Sequence, residues 1–421
     1  MAFGWSKTRY SPIAVDFGVD SVKLLQVILG EPPQIIAAAA MDVPPEARTD
    51  PSVRMPFLFE AVSKMVKSQP FKGKRAILSI PSYQTLIQHF QIARIENEDF
   101  DSQVALNLRQ RLNVDPSRMV IRNFPVAQVV RDGGSKQEVI CMAASREAIM
   151  KHIEIGHRAK LDVVGMHCEP LAILKSFSHM TSKTDQQGSV NCFLDLGAAT
   201  TKVVIAHGQQ MMFAKTIHIG GDHFTNHVAQ AREISFAEAR ELRRAQTVQQ
   251  KEQAPGQEQE AEPAGVAASA PSPLPEGASG GMAAIEARMA AERRAQGNPQ
   301  NVLQAKAHQQ MQHAVQLGSS NNSAGDTLEC MIDELQLCVR HHQSVFPDQK
   351  IQKLVFLGGE SRHVDLCQKI ARALHIGAQL GDPLARAVRL TRGKTTTGVD
   401  LHQPQPGWAV PMGLCLSNPN L

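Results

Sequence analysis

No uninterrupted apolar run in this chain approaches the roughly 20 residues that a membrane-spanning helix requires. The opening stretch, MAFGWSKTRYSP, also lacks the apolar centre of a secretory signal. Both absences predict a protein made and kept in the cytosol, with no direct membrane span. Charge of one sign is scarce too. The formal balance is +4, dispersed along the chain, which is too little to argue for nucleic acid as a partner. The seven cysteines are odd in number and none forms a CxxC pair. Several lie inside apolar, strand-like runs such as VICMAAS and NCFLDLG. They read as reduced, buried thiols, which argues against a disulfide framework or a cysteine metal site. Among the 16 histidines, His341 and His342 sit on a helix-like run with no acidic or cysteine partner at a metal spacing. That spacing argues against a metal site there.

The chain has 421 residues, 43% hydrophobic and 20% charged, enough for two or more domains with their own cores. One segment stands apart. From about 246 to 325 the composition turns to Ala, Gln, Glu, Pro, Gly and Ser without any Phe, Tyr or Trp. Such a segment cannot bury enough apolar surface to offset its ordering entropy, and is expected to be a disordered insert. It reads first as a tolerated surface insertion, with a partner-docking arm as the alternative. Either side of it the pattern is regular α/β. PFLFEAVSKMVKSQ, from Pro56, places Leu58, Val62, Met65 and Val66 at helical spacing. RAILSI is a short buried strand, and TLIQHFQIARI alternates as a strand. DFDSQVALNLRQRL is an amphipathic helix, and Asp132-Gly133-Gly134 marks a hairpin turn. Ser145 caps the next helix, which leads into the strand DVVGMHCEP.

The stretch AVDFGVDSVKLLQV has two apolar runs around an Asp-x-Gly, a hairpin in which Asp16 is unexpected at a strand end. A second copy follows in VNCFLDLGAATTKVVIAHG: Asp195 and Gly197 match Asp16 and Gly18. Lys202 follows Asp195 by seven residues, as Lys23 follows Asp16. Two hairpins of one design point to an internal duplication at domain scale. A turn of this kind lets backbone N–H groups converge on a phosphate, with hydroxyls such as Ser21, Thr200 and Thr201 as further donors. An acid at the strand end instead holds Mg²⁺ through its water shell or positions a water. A third element, KLVFLGGESRHVDLCQKIARAL, runs from a buried strand through Gly358-Gly359 to a helix, and a glycine pair there lets a flat ring or sugar pack on backbone.

These three elements, in this order, resemble the phosphate 1, phosphate 2 and adenosine motifs of the actin-like ATPase superfamily. Within it, the chain is similar to the PilM family of type IV pilus assembly proteins. ILSIPSYQTLIQHFQIARI, VICMAASREAIMKHIEIGHRAKLDVVGMHCEPLAI, the IGGDHFT after phosphate 2 and the closing WAVPMGLCL carry the likeness further. The resemblance implies an actin-like (ribonuclease H-like) fold, α/β, with duplicated subdomains around a nucleotide cleft. Its expected layout is subdomain 1 at 10–74, a small inserted α+β subdomain at 75–161 and a return to subdomain 1 at 162–190. Subdomain 2 follows at 191–245, then the insert at 246–325, and the remainder with a last return at 326–421.

By that resemblance, ATP and Mg²⁺ are the cofactors. Gly18, Ser21, Lys23, Gly197, Ala198, Thr200 and Thr201 are expected at the phosphates, Gly358, Gly359 and Glu360 at the adenosine, and Asp16 and Asp195 at the metal through water. Glu169 stands where relatives carry a water-positioning acid or amide, and it is equally a helix-starting acid beside Pro170. Two departures bear on catalysis. Val19 and Asp20 replace small or hydroxyl residues, and the helix FAEARELRR carries Arg240 and Arg243 where relatives have Glu and Lys. The implied function is an ATP-binding scaffold with slow or absent hydrolysis. It would dock the N-terminal cytoplasmic tail of a PilN-like inner-membrane protein, with a pilus motor ATPase, platform proteins or self-association as further contacts. A sugar or acid kinase of the same superfold, or an FtsA-like division scaffold, is the alternative.

Overall fold

The computed structural model describes residues 10–93, 100–112, 114–131, 134–178, 188–252, 324–389 and 399–420. Two sheets of matching design dominate it. In the first, β1 (Ile13–Phe17), β2 (Ser21–Ile28) and β3 (Gln34–Asp42) form an antiparallel meander, and β4 (Arg75–Ile80) and β8 (Asp162–Cys168) add in parallel beyond β1. In the second, β9 (Val190–Leu196), β10 (Thr201–His207) and β11 (Gln210–Ile217) repeat the meander. Here β12 (Lys353–Leu357) and β13 (Ala378–Leu380) add in parallel beyond β9. The strand orders β3-β2-β1-β4-β8 and β11-β10-β9-β12-β13 are the same order twice, so the duplication extends from the motif to the sheet. A short strand, β14 (Val388–Arg389), pairs with β3 at the edge of the first sheet.

The smaller third sheet has the order β5-β7-β6, from β5 (Thr85–Ala93), β6 (Met119–Arg131) and β7 (Gly134–Ser145). It lies within the expected inserted subdomain, with α3 (Phe100–Leu112) against it through Val104 and Leu108. Of its turn, Gly134 is described, while Asp132 and Gly133 lie outside the described residues.

The helix read from Pro56 begins earlier. After a short α1 (Pro45–Thr49), α2 spans Pro51–Ser68 and contains Pro56. Asp50 caps it by accepting from the Ser52 N–H, and Pro51 occupies the first turn, where its missing donor costs nothing. α4 (Arg146–Arg158) starts at Ser145, whose hydroxyl accepts from the Ala148 N–H at 3.1 Å as expected. α5 (Glu169–Ser176) follows β8 directly. In the second half, α6 (Gly221–Arg232) leads into α7 (Phe236–Glu252), which carries helix past the expected start of the insert. The chain is described again from α8 (Ala324–Val345); residues 253–323, the bulk of the expected insert, lie outside the described residues.

Beyond β12 the path departs from a plain strand–turn–helix. A 3-10 turn, Glu360–Arg362, intervenes before α9 (Val364–Leu374). On that helix Ile370 is fully buried and Val364 is exposed. The final helix, α10 (Ala409–Cys415), packs against α5 between the two large sheets. One continuous core therefore joins Leu25 and Ile77 of the first sheet to Phe193 and Val355 of the second through Ala172, Ile173, Met412 and Leu414. None of the seven cysteines is in a disulfide, and five of them are buried.

Candidate nucleotide cleft

Asp16 and Asp195 occupy equivalent places in the duplicated sheets. Asp16 pairs in register with Lys23 across β1–β2, and Asp195 with Lys202 across β9–β10. The seven-residue spacing seen in the sequence is thus a cross-strand pairing, which sets each lysine on the same face as its acid. The glycines close both turns. A Cβ on Gly18 would stand 2.7 Å from the Ser21 carbonyl oxygen, and one on Gly197 would stand 2.9 Å from that of Thr200. Only glycine allows hairpins this tight, which holds whether or not a ligand binds there.

Three carboxylates converge between the halves. Asp16, Glu169 and Asp195 are all buried. Lys202 Nζ lies 3.0 Å from Asp195 Oδ2 and 3.2 Å from Glu169 Oε2. Burial works against the Lys202 ammonium, but Asp195 and Glu169 outweigh it and hold the group well above the ordinary lysine range. Ser79 donates to Asp16 Oδ1 at 3.0 Å, and Ser82 donates to Glu169 Oε2 through its N–H at 3.2 Å and its hydroxyl at 2.5 Å. Burial pushes the Asp16 carboxyl up to about 6, against the pull of Lys23; the nearby Glu169 raises it further, while Lys202 and the Ser79 hydrogen bond lower it. Asp16 is therefore an acid whose charge the protein alone does not fully compensate. The sequence showed the spacing of Lys202 but gave it no role, and its contact with Glu169 joins residues too far apart to read along the chain.

The Gly197–Thr200 turn is bound to the start of α6. Gly221 and Asp222 donate their N–H groups to the carbonyls of Gly197 and Ala198 at 2.9 and 2.7 Å. Thr200 is buried beside them, and the Thr201 hydroxyl donates to the Ile219 carbonyl at 2.8 Å. Thr201 is accordingly engaged in fixing the loop. Gly358, with φ of +84°, packs on the Leu196 carbonyl and on Asp195, so the third motif abuts the second. A Cβ on Gly359 would meet no atom within 4 Å. Open space at this backbone is what a flat ring stacking on the glycine needs.

The two sequence departures prove to be partners. Asp20 pairs with Arg48 and with Arg240, and Arg244 approaches it at 3.6 Å. Its charge therefore faces a cluster of guanidinium groups instead of the turn. Arg243 donates to Glu360 Oε2 at 2.5 Å and to the Gly221 carbonyl and Thr225 hydroxyl at 2.9 Å each. His363 lies 3.5 Å from the same Glu360 oxygen. Glu360 thus anchors α7 to the turn that follows Gly358-Gly359. Arg48 also reaches Asp222 at 3.4 Å, and Arg244 reaches Asp42 at 3.4 Å. Asp20, Asp42 and Arg48 belong to the first half, and their partners on α6 and α7 to the second, so ion pairs bridge the mouth of the cleft. Among the described residues no helix is long and apolar enough to cross a membrane.

Comparison with known proteins agrees with this architecture. The family model of the type IV pilus assembly protein PilM matches residues 14–254, and that of the cell division protein FtsA matches residues 192–392. No curated protein matches the sequence. Among solved structures, the chain is similar to one in a PilM-PilN type IV pilus biogenesis complex. The identity is 15% over 97% of this chain and 98% of that one, with a TM-score of 0.64, which shows a shared fold. The ethanolamine utilization protein EutJ from Carboxydothermus hydrogenoformans matches at 12% identity over 97% of this chain and 89% of that one, with a TM-score of 0.44. With the actin-like ATPase fold, its duplicated sheets and the matching family model over more than half its length, the chain belongs to the PilM family of type IV pilus assembly proteins.

Proposed function

We propose that this chain is an ATP-binding scaffold whose cleft state governs its hold on the N-terminal tail of a PilN-like inner-membrane protein. The observation that carries the reading is the pair Asp16–Lys23 and Asp195–Lys202, the same acid–lysine arrangement at the same place in both sheets. In this reading Gly18, Ser21 and Lys23 from one hairpin, and Gly197, Ala198 and Thr200 from the other, face the phosphates, while Thr201 fixes the second loop. Gly358 and Gly359 give the adenosine its backbone surface, and Glu360 holds that turn to α7 through Arg243. The buried carboxylate set suits Mg²⁺, which takes oxygen ligands and keeps several waters. Asp16 and Asp195 would hold the ion through such waters, and Lys202 is the cation already present there. Bound Mg²⁺ would offset phosphate charge and orient the terminal phosphoryl group.

Slow or absent hydrolysis follows from the state of Glu169. Its Oε2 accepts from Ser82 and lies beside Lys202, so that oxygen is already engaged and is a poor acceptor for a proton from an attacking water. A scaffold needs nucleotide only as a state selector, and a partner that prefers one cleft state must in turn change nucleotide affinity. The PilN-like partner comes from the complex whose PilM chain shares this fold, and such a partner would place the protein at the inner face of the inner membrane. The test is titration of a synthetic peptide of that tail into the full chain with and without Mg-ATP. Tail affinity should change by about 5-fold or more. Equal affinity in both conditions would contradict the coupling.

A further inference from the structure

Away from the cleft, a buried carboxylate meets two imidazoles at the junction of the small sheet and the second half. His89 on β5 and Glu138 on β7 are diagonal neighbours on one face, because His89 pairs with Ile140 and Gln91 with Glu138. His341 reaches the same point from α8. Glu138 is only 1% exposed, yet its Oε2 has no hydrogen-bond partner. Its Oε1 lies 3.3 Å from His89 Nδ1 and 3.4 Å from His341 Nε2, and one ligand atom from each residue falls within 4.8 Å of the others.

The protonation pattern is the telling part. His89 Nε2 lies 3.1 Å from the Ala214 carbonyl, which can only accept, so Nε2 carries a proton. In a neutral ring Nδ1 then points a lone pair at the Glu138 carboxylate, and the contact is repulsive unless the ring carries a second proton or a metal ion lies between. His341 Nε2 is buried without a hydrogen-bond partner beside the same oxygen. Zinc ligands at about 2.0–2.2 Å in a tetrahedron stand roughly 3.3 Å apart, close to the two separations found here. A ring N–H donated to a backbone carbonyl is also the usual outer contact of a metal-bound histidine.

We propose that His89, Glu138 and His341 form a site for a divalent transition metal, Zn²⁺ foremost, which staples the small sheet to the second half of the chain. Two imidazoles and one carboxylate match the preference of Zn²⁺ and leave a fourth position for water. His89 and His341 both border a cavity of 590 Å³, together with Phe213, Lys215, Leu337 and Arg340 among others, which gives such a water room to enter. The ring of His89 stacks on Phe213 at 4.6 Å between centroids, which fixes its orientation. Along the sequence His341 lacks any partner at a metal spacing; the fold supplies both from the distant β5 and β7.

The experiment strips the full chain with chelator, dialyses it against Zn²⁺, desalts it and measures bound metal by mass spectrometry. Wild type should retain one Zn²⁺ per chain. Glu138→Gln, and separately His341→Ala on the half-exposed rim, should bind at least about 10-fold more weakly. Co²⁺ substitution of wild type gives a readout that does not depend on how the variants fold. The visible spectrum should be that of a tetrahedral nitrogen and oxygen site without thiolate bands. No stoichiometric metal in wild type, equal retention in both variants, or a thiolate-type Co²⁺ spectrum would overturn the proposal. The first of these would leave a protonated His89 as the cation beside Glu138.

Discussion

Replacing Asp195 with asparagine should abolish the stabilisation that Mg-ATP gives the native chain. A ligand that binds only the folded state at about 100 times its dissociation constant stabilises by roughly 2.7 kcal/mol, read as a rise in melting temperature. Asn is nearly isosteric, so the hairpin and the packing of Gly358 against this side chain should survive the change. What disappears is one negative charge at the point where the proposed Mg²⁺ is held, together with the anchor of Lys202 at 3.0 Å. The loss should be specific to magnesium nucleotide, and the unliganded variant should lose less stability than removal of Lys202 would cost, because the ammonium keeps Glu169 Oε2 at 3.2 Å. A variant that keeps the full shift would remove Asp195 from the nucleotide site.

Lys202 carries the second large effect. Its ammonium lies between the buried carboxylates of Asp195 and Glu169, with Asp16 close enough to add to its charge environment. Removing one member of a buried ion cluster leaves the opposite charges unpaired, which costs about 3–5 kcal/mol. Lys202→Ala should therefore shift the denaturation midpoint by that order in Mg²⁺-free buffer. Magnesium should then stabilise the variant more than it stabilises wild type, because a divalent ion can occupy the carboxylate cluster that the ammonium has left. If the variant is as stable as wild type, the cluster is not the electrostatic centre of the cleft. If Mg²⁺ has no larger effect on the variant, the carboxylates do not form a site for it.

Much of the fold was legible because its signals are local. Strand periodicity, the Ser145 cap and the two Asp-x-Gly hairpins each sit within a dozen residues, and the repeat of Asp and Lys at seven residues proved to be cross-strand register. The start of α2 was harder to read, because Pro56 is a valid first-turn residue and Asp50-Pro51 is an equally good start five residues earlier. The 3-10 turn after Gly359 is likewise invisible in a pattern that fits a direct passage into helix. The site itself was half legible. Its glycines and acids stand in short motifs, whereas its charge pairing depends on distant segments. Asp20 taken alone put a negative charge beside the expected phosphates. Its neutralisation by Arg240 joins residues 220 positions apart, and only the folded chain reveals that both departures form one contact. The same holds for Glu138 between His89 and His341, a cluster built from three separate elements.

The ion pairs bridging the cleft give these departures a physical meaning. Asp20 with Arg240, and Arg48 with Asp222, tie the first half to α6 and α7 without any ligand. A cleft held partly by its own charges needs less from a nucleotide to stay closed, which suits a scaffold better than a rapid hydrolase. The partial exposure of Asp20 and Asp222 keeps each pair modest in strength and sensitive to salt.

The most direct measurement is the anomalous scattering map of crystals grown with ATP and Mn²⁺, which replaces Mg²⁺ and marks its own position. The account predicts a Mn²⁺ peak between Asp16 and Asp195, with the phosphates along the Gly18 and Gly197 turns and the adenine against Gly359. A nucleotide bound elsewhere, or a saturating soak that leaves this cleft without metal or phosphate density, would contradict it.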